Sequence, residues 1–96
     1  MARSRYYHFN HELKPPYRIE KLDQFHGRHE AVEGIDVNYD DMDEAIKVAR
    51  QITDDAIKEC GSIEKWNGEG IAALVYDSQG YLVWHGVYEN TRMKFK

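Results

Sequence analysis

Between residues 39 and 61 the apolar side chains recur at helical spacing, at Met42, Ala45, Ile46, Ala49, Ile52, Ala56, Ile57 and Cys60. That i, i+3, i+4, i+7 pattern places them on one buried face of an α-helix, with Ile52 as its expected anchor. Asp41 is positioned to cap the first turn, and Glu44 three residues on completes a capping-box pattern. Asp40, Asp41, Asp43 and Glu44 lie where the helix dipole favours negative charge. Gly61 supplies the left-handed residue that closes the last turn.

The rest of the chain reads as strand and turn. Residues 5–9 (RYYHF) are short, aromatic and β-prone. Pro15 and Pro16 force an extended or turning segment. Residues 17–25 (YRIEKLDQF) alternate imperfectly and favour a strand, with a turn expected at residues 26–29 around Gly27. Residues 31–37 (AVEGIDV) are expected to return as a third strand, bulged at Gly34. After the helix, residues 62–70 read as a loop with a turn at Asn67-Gly68.

The strongest strand pair follows. Residues 71–76 (IAALVY) are apolar on both faces, which marks a central strand. A four-residue turn at 77–80 ends in Gly80 and fits a type I turn followed by a left-handed residue. Residues 81–88 (YLVWHGVY) return, with Leu82, Trp84 and Tyr88 on one face and Tyr81, Val83, His85 and Val87 on the other. Residues 90–96 read as a frayed tail. The order β-β-β-α-β-β predicts an α+β domain: a mainly antiparallel sheet of about five strands, with one long amphipathic helix packed on one face. Residues 1–96 form a single domain with short flexible basic tails on this reading.

Composition refines this picture. With 42% hydrophobic and 31% charged residues the chain holds one core without being disordered. No apolar run approaches the roughly 18 residues of a membrane span. The first residues, MARSRYYHFNH, lack the apolar region of a signal peptide. Cys60 is the single cysteine, so no intrachain disulfide forms. These features favour a cytoplasmic location. The net charge of −4 is segregated: +3 over residues 1–29, −7 over residues 30–60 and neutral over residues 61–96. The helical segment is the acidic part, which bears on steering of partners rather than on fold.

The candidate chemistry is sparse. His8 with His11 and His26 with His29 are two pairs at i, i+3, a spacing that diverges on strands and converges only in a turn or helix. His26 and His29 flank Gly27 in the expected turn and are the better candidate pair; no metal or other cofactor is assigned, and histidine-based metal binding or a small enzyme stays a lesser alternative. His85 beside Trp84 has the chemistry of a general base but no nucleophile in sequence reach. Cys60 sits on the apolar side of the helix at its C-terminal end, where the dipole raises a thiol pKa, so it reads as structural. The run Asn67-Gly68-Glu69-Gly70 enters a strand, whereas phosphate loops open helices. No catalytic residues are assigned.

Two partner classes remain. Tyr6, Tyr7, Phe9, Tyr17, Tyr76, Tyr81, Trp84 and Tyr88 on predicted strands suggest a sheet that stacks single-stranded nucleic acid. The acidic balance, with a pI near 5.7, argues against it. The favoured expectation is a protein-binding module, or self-association as a homodimer through the sheet face that one helix leaves uncovered. Asp43, Asp54, Asp55 and Glu59 on the helix, with Tyr76, Trp84 and Tyr88 as aromatic anchors, are the expected contacts. Size and charge invite an analogy with small acidic regulators or inhibitors, including phage-encoded antagonists that dock on a basic partner.

Overall fold

The computed structural model describes residues 12–31 and 38–91, with backbone alone for residues 28–31. In chain order its elements are β1 (Arg18–Asp23), β2 (Arg28–Ala31), α1 (Met42–Cys60), α2 (Ile63–Trp66), β3 (Ile71–Tyr76), β4 (Leu82–His85) and α3 (Gly86–Thr91). The sheet order is β2-β1-β3-β4, and each neighbouring pair is antiparallel. The α+β class is as expected. The detail differs: the described residues hold four strands rather than five, and three helices rather than one. The strand expected at residues 5–9 lies outside the described residues, as do residues 32–37 and 92–96.

Helix α1 begins and ends where its chemistry dictates. The Asp41 carboxylate accepts from Asp43 N at 3.2 Å, and Gly61, at φ 102°, donates its N–H to the carbonyls of Ile57 and Lys58. Ala45, Ile46 and Ala49 are buried as the periodicity requires, and Met42, Val48 and Ile52 pack partly buried against the same core. In the second half the buried centre moves to Thr53, so Ile52 flanks the core rather than anchoring it.

The core lies between α1 and one face of the sheet, and gathers Tyr17, Ile19, Ala73, Val75, Val83 and Trp84. Strict alternation puts Val83 and Trp84 on opposite faces. The structure instead shifts the register between Val75 and Tyr76: Val75 pairs with Trp84, and Tyr76 with Leu82. The extra residue of this bulge turns both Val83 and Trp84 toward α1. Trp84 is 5% exposed, with the Arg50 guanidinium 5.6 Å above its ring.

The opposite face carries Ala72, Leu74 and Tyr76 from β3. Ala72 and Leu74 (2% exposed) are already buried within the single chain. The expectation that one helix leaves these residues in water, and so drives a homodimer, is not met at the centre of the sheet.

Three local expectations are corrected. The β1–β2 turn spans residues 24–27, not 26–29, and Arg28 and His29 already belong to β2. Its cause is Asp23, whose side chain binds the following backbone amides, while Gly27 takes the left-handed conformation at φ 68°. The last strand ends at His85 rather than at Tyr88. There the ring Nδ1 accepts from Val87 N (3.2 Å) and Tyr88 N (3.4 Å), which caps α3 and turns the chain out of the sheet. That helix runs through Thr91, over part of the expected tail. Finally, Ser62 caps a short helix, α2, inside the expected loop, and delivers the fully buried Trp66, whose indole N–H donates to Ile71 O at 2.8 Å.

The turn of residues 77–80 forms as read, with Gly80 at φ 89°. Its organiser is Asp77, a fully buried carboxylate that accepts from Gln79 N and Tyr81 N at 2.9 Å each and from Lys14 N at 3.1 Å. Asp77 thereby ties the segment before β1 to the far hairpin. Tyr17 and Tyr39 exchange two backbone hydrogen bonds, which aligns the entry to α1 with the start of β1.

Candidate functional site

The expected contact residues do not form one site. Asp43, Asp54, Asp55 and Glu59 are all exposed on α1, and Asp55 accepts from Gln51 Nε2 at 2.9 Å. They share the exposed side of the helix with Lys47, Arg50 and Lys58. The helix surface is thus of mixed sign, not a continuous acidic patch.

The aromatic residues are scattered more widely. Tyr17 and Trp84 are core residues, which removes them from any stacking platform. Tyr76 is half-buried, and the guanidinium of Arg18 lies 5.1 Å above its ring while pairing with Glu20 at 3.2 Å. Burial, and then the neighbouring Glu20 charge, push the Tyr76 phenol above its ordinary value, with Arg18 opposing. Tyr88 is 46% exposed on α3. It lines an open apolar groove of about 300 Å³ with Leu82, His85, Val87 and Thr91. That volume is at the lower end for a small-molecule site. The ring nitrogen of His85 that faces the backbone is occupied by the α3 cap.

The described residues hold no group of three or more His, Cys, Asp or Glu side chains able to hold a metal ion. His8 and His11 lie outside them, as do the aromatic residues Tyr6, Tyr7 and Phe9 and the side chain of His29. No described helix is long and apolar enough to cross a membrane. Cys60 is half-buried, with its sulfur against Gly70.

One exposed feature is fastened by side-chain hydrogen bonds within itself and to a distant loop, the turn Asp23-Gln24-Phe25-His26-Gly27. The Asp23 carboxylate accepts from Phe25 N (3.1 Å), His26 N (3.2 Å) and the His26 ring Nδ1–H (2.8 Å). Gly27 N donates to Asp23 O at 2.7 Å. The hydrogen bonds from the His26 ring and backbone hold Asp23 below the usual carboxylate range. Gln24 fastens the turn to the loop before β3: its Nε2 donates to Trp66 O (3.2 Å) and Gly70 O (2.9 Å), and its Oε1 accepts from Gly68 N (2.8 Å). Phe25 stands at the tip of this frame, 67% exposed, edge-on to His26 with ring centroids 4.9 Å apart. An aspartate three residues before a histidine and four before a glycine was the available signal.

No protein-family model, curated protein or solved structure matches the chain.

Proposed function

We propose that this chain is a small protein-binding module. The observation that supports the reading is Phe25, a large apolar ring 67% exposed at the tip of a turn that both of its preceding side chains hold in place. A ring so exposed adds little to the stability of the isolated fold, whereas aromatic anchors concentrate affinity in interfaces. A preordered turn also reduces the entropy that docking must offset. Asp43, Asp54, Asp55 and Glu59, which with Glu44 outnumber the interspersed Lys47, Arg50 and Lys58 on the exposed side of α1, extend the reading to a regulator or inhibitor that approaches a basic partner. Charge of this kind speeds encounter more than it prolongs the complex.

The reading is tested by affinity capture from lysate of the cells that express the chain, followed by reconstitution from purified components. A saturable complex of fixed stoichiometry is expected. Association should slow as salt rises, and the double change Asp54→Asn with Asp55→Asn should flatten that dependence. If no captured protein re-forms a complex once purified, the module reading fails. If the complex forms with an unchanged rate across the salt series, only the charge-steered version fails.

A further inference from the structure

The pair Asn67-Gly68 ends α2 and turns the chain toward β3. Glu69 N donates to Trp66 O at 3.0 Å, and between them Asn67 lies at φ −66° and ψ 120° and Gly68 at φ 89°. These values describe a type II turn, with glycine at the position that needs positive φ. Both residues are exposed, and open space surrounds Gly68.

An exposed asparagine is thermally labile, most of all before a glycine, where no side chain shields the attacking nitrogen. Gly68 N gives up its proton to solvent base and bonds to Asn67 Cγ. The Cγ–Nδ2 bond breaks, and Nδ2 takes up a proton and leaves as ammonia. Water then opens the succinimide. Opening at Cγ gives aspartate, whereas opening at the main-chain carbonyl carbon of residue 67 gives isoaspartate, in which the backbone runs through Cβ and Cγ.

The fold holds this reaction back in two ways. Ring closure needs Gly68 N nearly eclipsed with Asn67 Cβ about the Cα–C bond, and a ψ of 120° keeps it well away. Gly68 N also donates to Gln24 Oε1 at 2.8 Å, and must leave that bond before it attacks. The Gln24 amide is itself fixed in orientation. Its Nε2 donates to Trp66 O at 3.2 Å and Gly70 O at 2.9 Å, and a flipped amide would set Oε1 against both carbonyls.

We propose that Asn67-Gly68 is a site of spontaneous isoaspartate formation, gated by the hydrogen bond from Gly68 N to Gln24 Oε1. The coupling runs both ways. Isoaspartate lengthens the backbone between residues 67 and 68, adds a negative charge and carries Gly68 N off Gln24. Modification therefore releases, irreversibly, the tie between the turn of residues 23–27 and the loop of residues 66–70. No binding partner is involved, so the site stands whether or not the chain is a binding module.

The test incubates the purified full chain at neutral pH and physiological temperature and separates aspartate from isoaspartate at position 67 by electron-transfer fragmentation. The native chain should deamidate more slowly than the same chain in guanidinium chloride, by the factor that protects the Gly68 amide from exchange. Gln24→Ala should raise the native rate by about two- to tenfold, the worth of one net hydrogen bond. Thr53→Val, which weakens the core and leaves the tie intact, should not raise it. Equal rates in native and denatured chain, a native rate unmoved by Gln24→Ala, or equal acceleration by both substitutions overturns the gate. Absence of isoaspartate even in the denatured chain removes the site. If Gln24→Ala does not fold, the wild-type comparison decides alone, and slowing that fails to match Gly68 protection overturns the proposal.

Discussion

The hydroxyl of Thr53, in the middle of α1, is 3.0 Å from the backbone nitrogen of Ala73 in β3 and accepts its hydrogen bond. The same hydroxyl donates to Ala49 O at 3.0 Å. Both residues are fully buried. On the β4 side the ladder stops at the pairing of Leu74 with His85, and the chain leaves the sheet at Gly86. A central-strand amide is thus satisfied by a helix side chain rather than by a neighbouring strand, as buried N–H groups require. Gly86 allows the close approach: a Cβ there would meet Thr53 Oγ1 at 2.6 Å and Ala73 O at 3.0 Å.

Thr53→Val keeps the shape and removes the acceptor, which leaves Ala73 N buried and unpaired. A loss of about 1–3 kcal/mol is expected in urea denaturation, against a much smaller loss for Thr53→Ser. Equal losses for the two variants would show that packing, not the hydroxyl, holds this junction.

The two tryptophans should respond differently to phenylalanine. Trp66→Phe deletes the bond to Ile71 O and leaves that carbonyl short of a partner, at a cost of about 1–3 kcal/mol. Among the described residues Trp84 Nε1 is buried without a hydrogen-bond partner, so Trp84→Phe also relieves an unsatisfied donor and should cost less. Thermal melts of both proteins compare them directly, and a larger loss at Trp84 would contradict the assignment.

Gly70 and Gly68 are needed for different reasons. A Cβ at Gly70 would overlap Trp66 Cδ1 and lie 3.1 Å from Cys60 Sγ, so Gly70→Ala must displace a buried indole and is expected to cost at least about 1–3 kcal/mol. Gly68 has open space around it but φ +89°, so Gly68→Ala pays for backbone strain alone, about 1–2 kcal/mol. Amide exchange at Ile71 should rise in the first variant and stay near wild type in the second.

Asp77→Ala removes a buried carboxylate that serves three backbone amides across two segments. A destabilisation of about 1.5–3 kcal/mol is expected, with exchange protection lost at Lys14 N as well as at Tyr81 N. Loss confined to residues 78–81 would mean that the link to Lys14 contributes nothing.

The acid limb of the stability profile should report Asp23. Its pKa is lowered in the folded chain by its bonds from His26, so the ionised form favours folding. That contribution is complete above the ordinary value of 3.8 and is lost as pH falls through the lowered folded value. The Tm difference between wild type and Asp23→Asn should accordingly be full at neutral pH and close in strong acid. A difference that persists unchanged in acid would assign the effect to turn geometry rather than to charge.

The sequence by itself determined those features whose cause lies within a few residues. The first half of the α1 stripe, its Asp41 cap and Gly61 stop, the 71–76 strand and the Gly80 turn depend on periodicity and local dihedral preference, and each formed where its residues put it; in the second half of α1 the buried position is Thr53 rather than the expected Ile52. Tertiary structure decided the rest, because the deciding partner is distant in the chain. The bulge that turns Val83 and Trp84 to one face is a register choice made against Val75. The end of β4 depends on Gly86 meeting Thr53, thirty-three positions earlier. Trp66 was buried by α2 and Gly70, although polar neighbours made its segment read as a loop. The turn of residues 23–27 shows both limits. Asp23 and Gly27 set it locally, but Gln24 holds it through Trp66, Gly68 and Gly70, more than forty residues away. A local pattern fixes a backbone angle; only the packed chain shows which side chain remains in water.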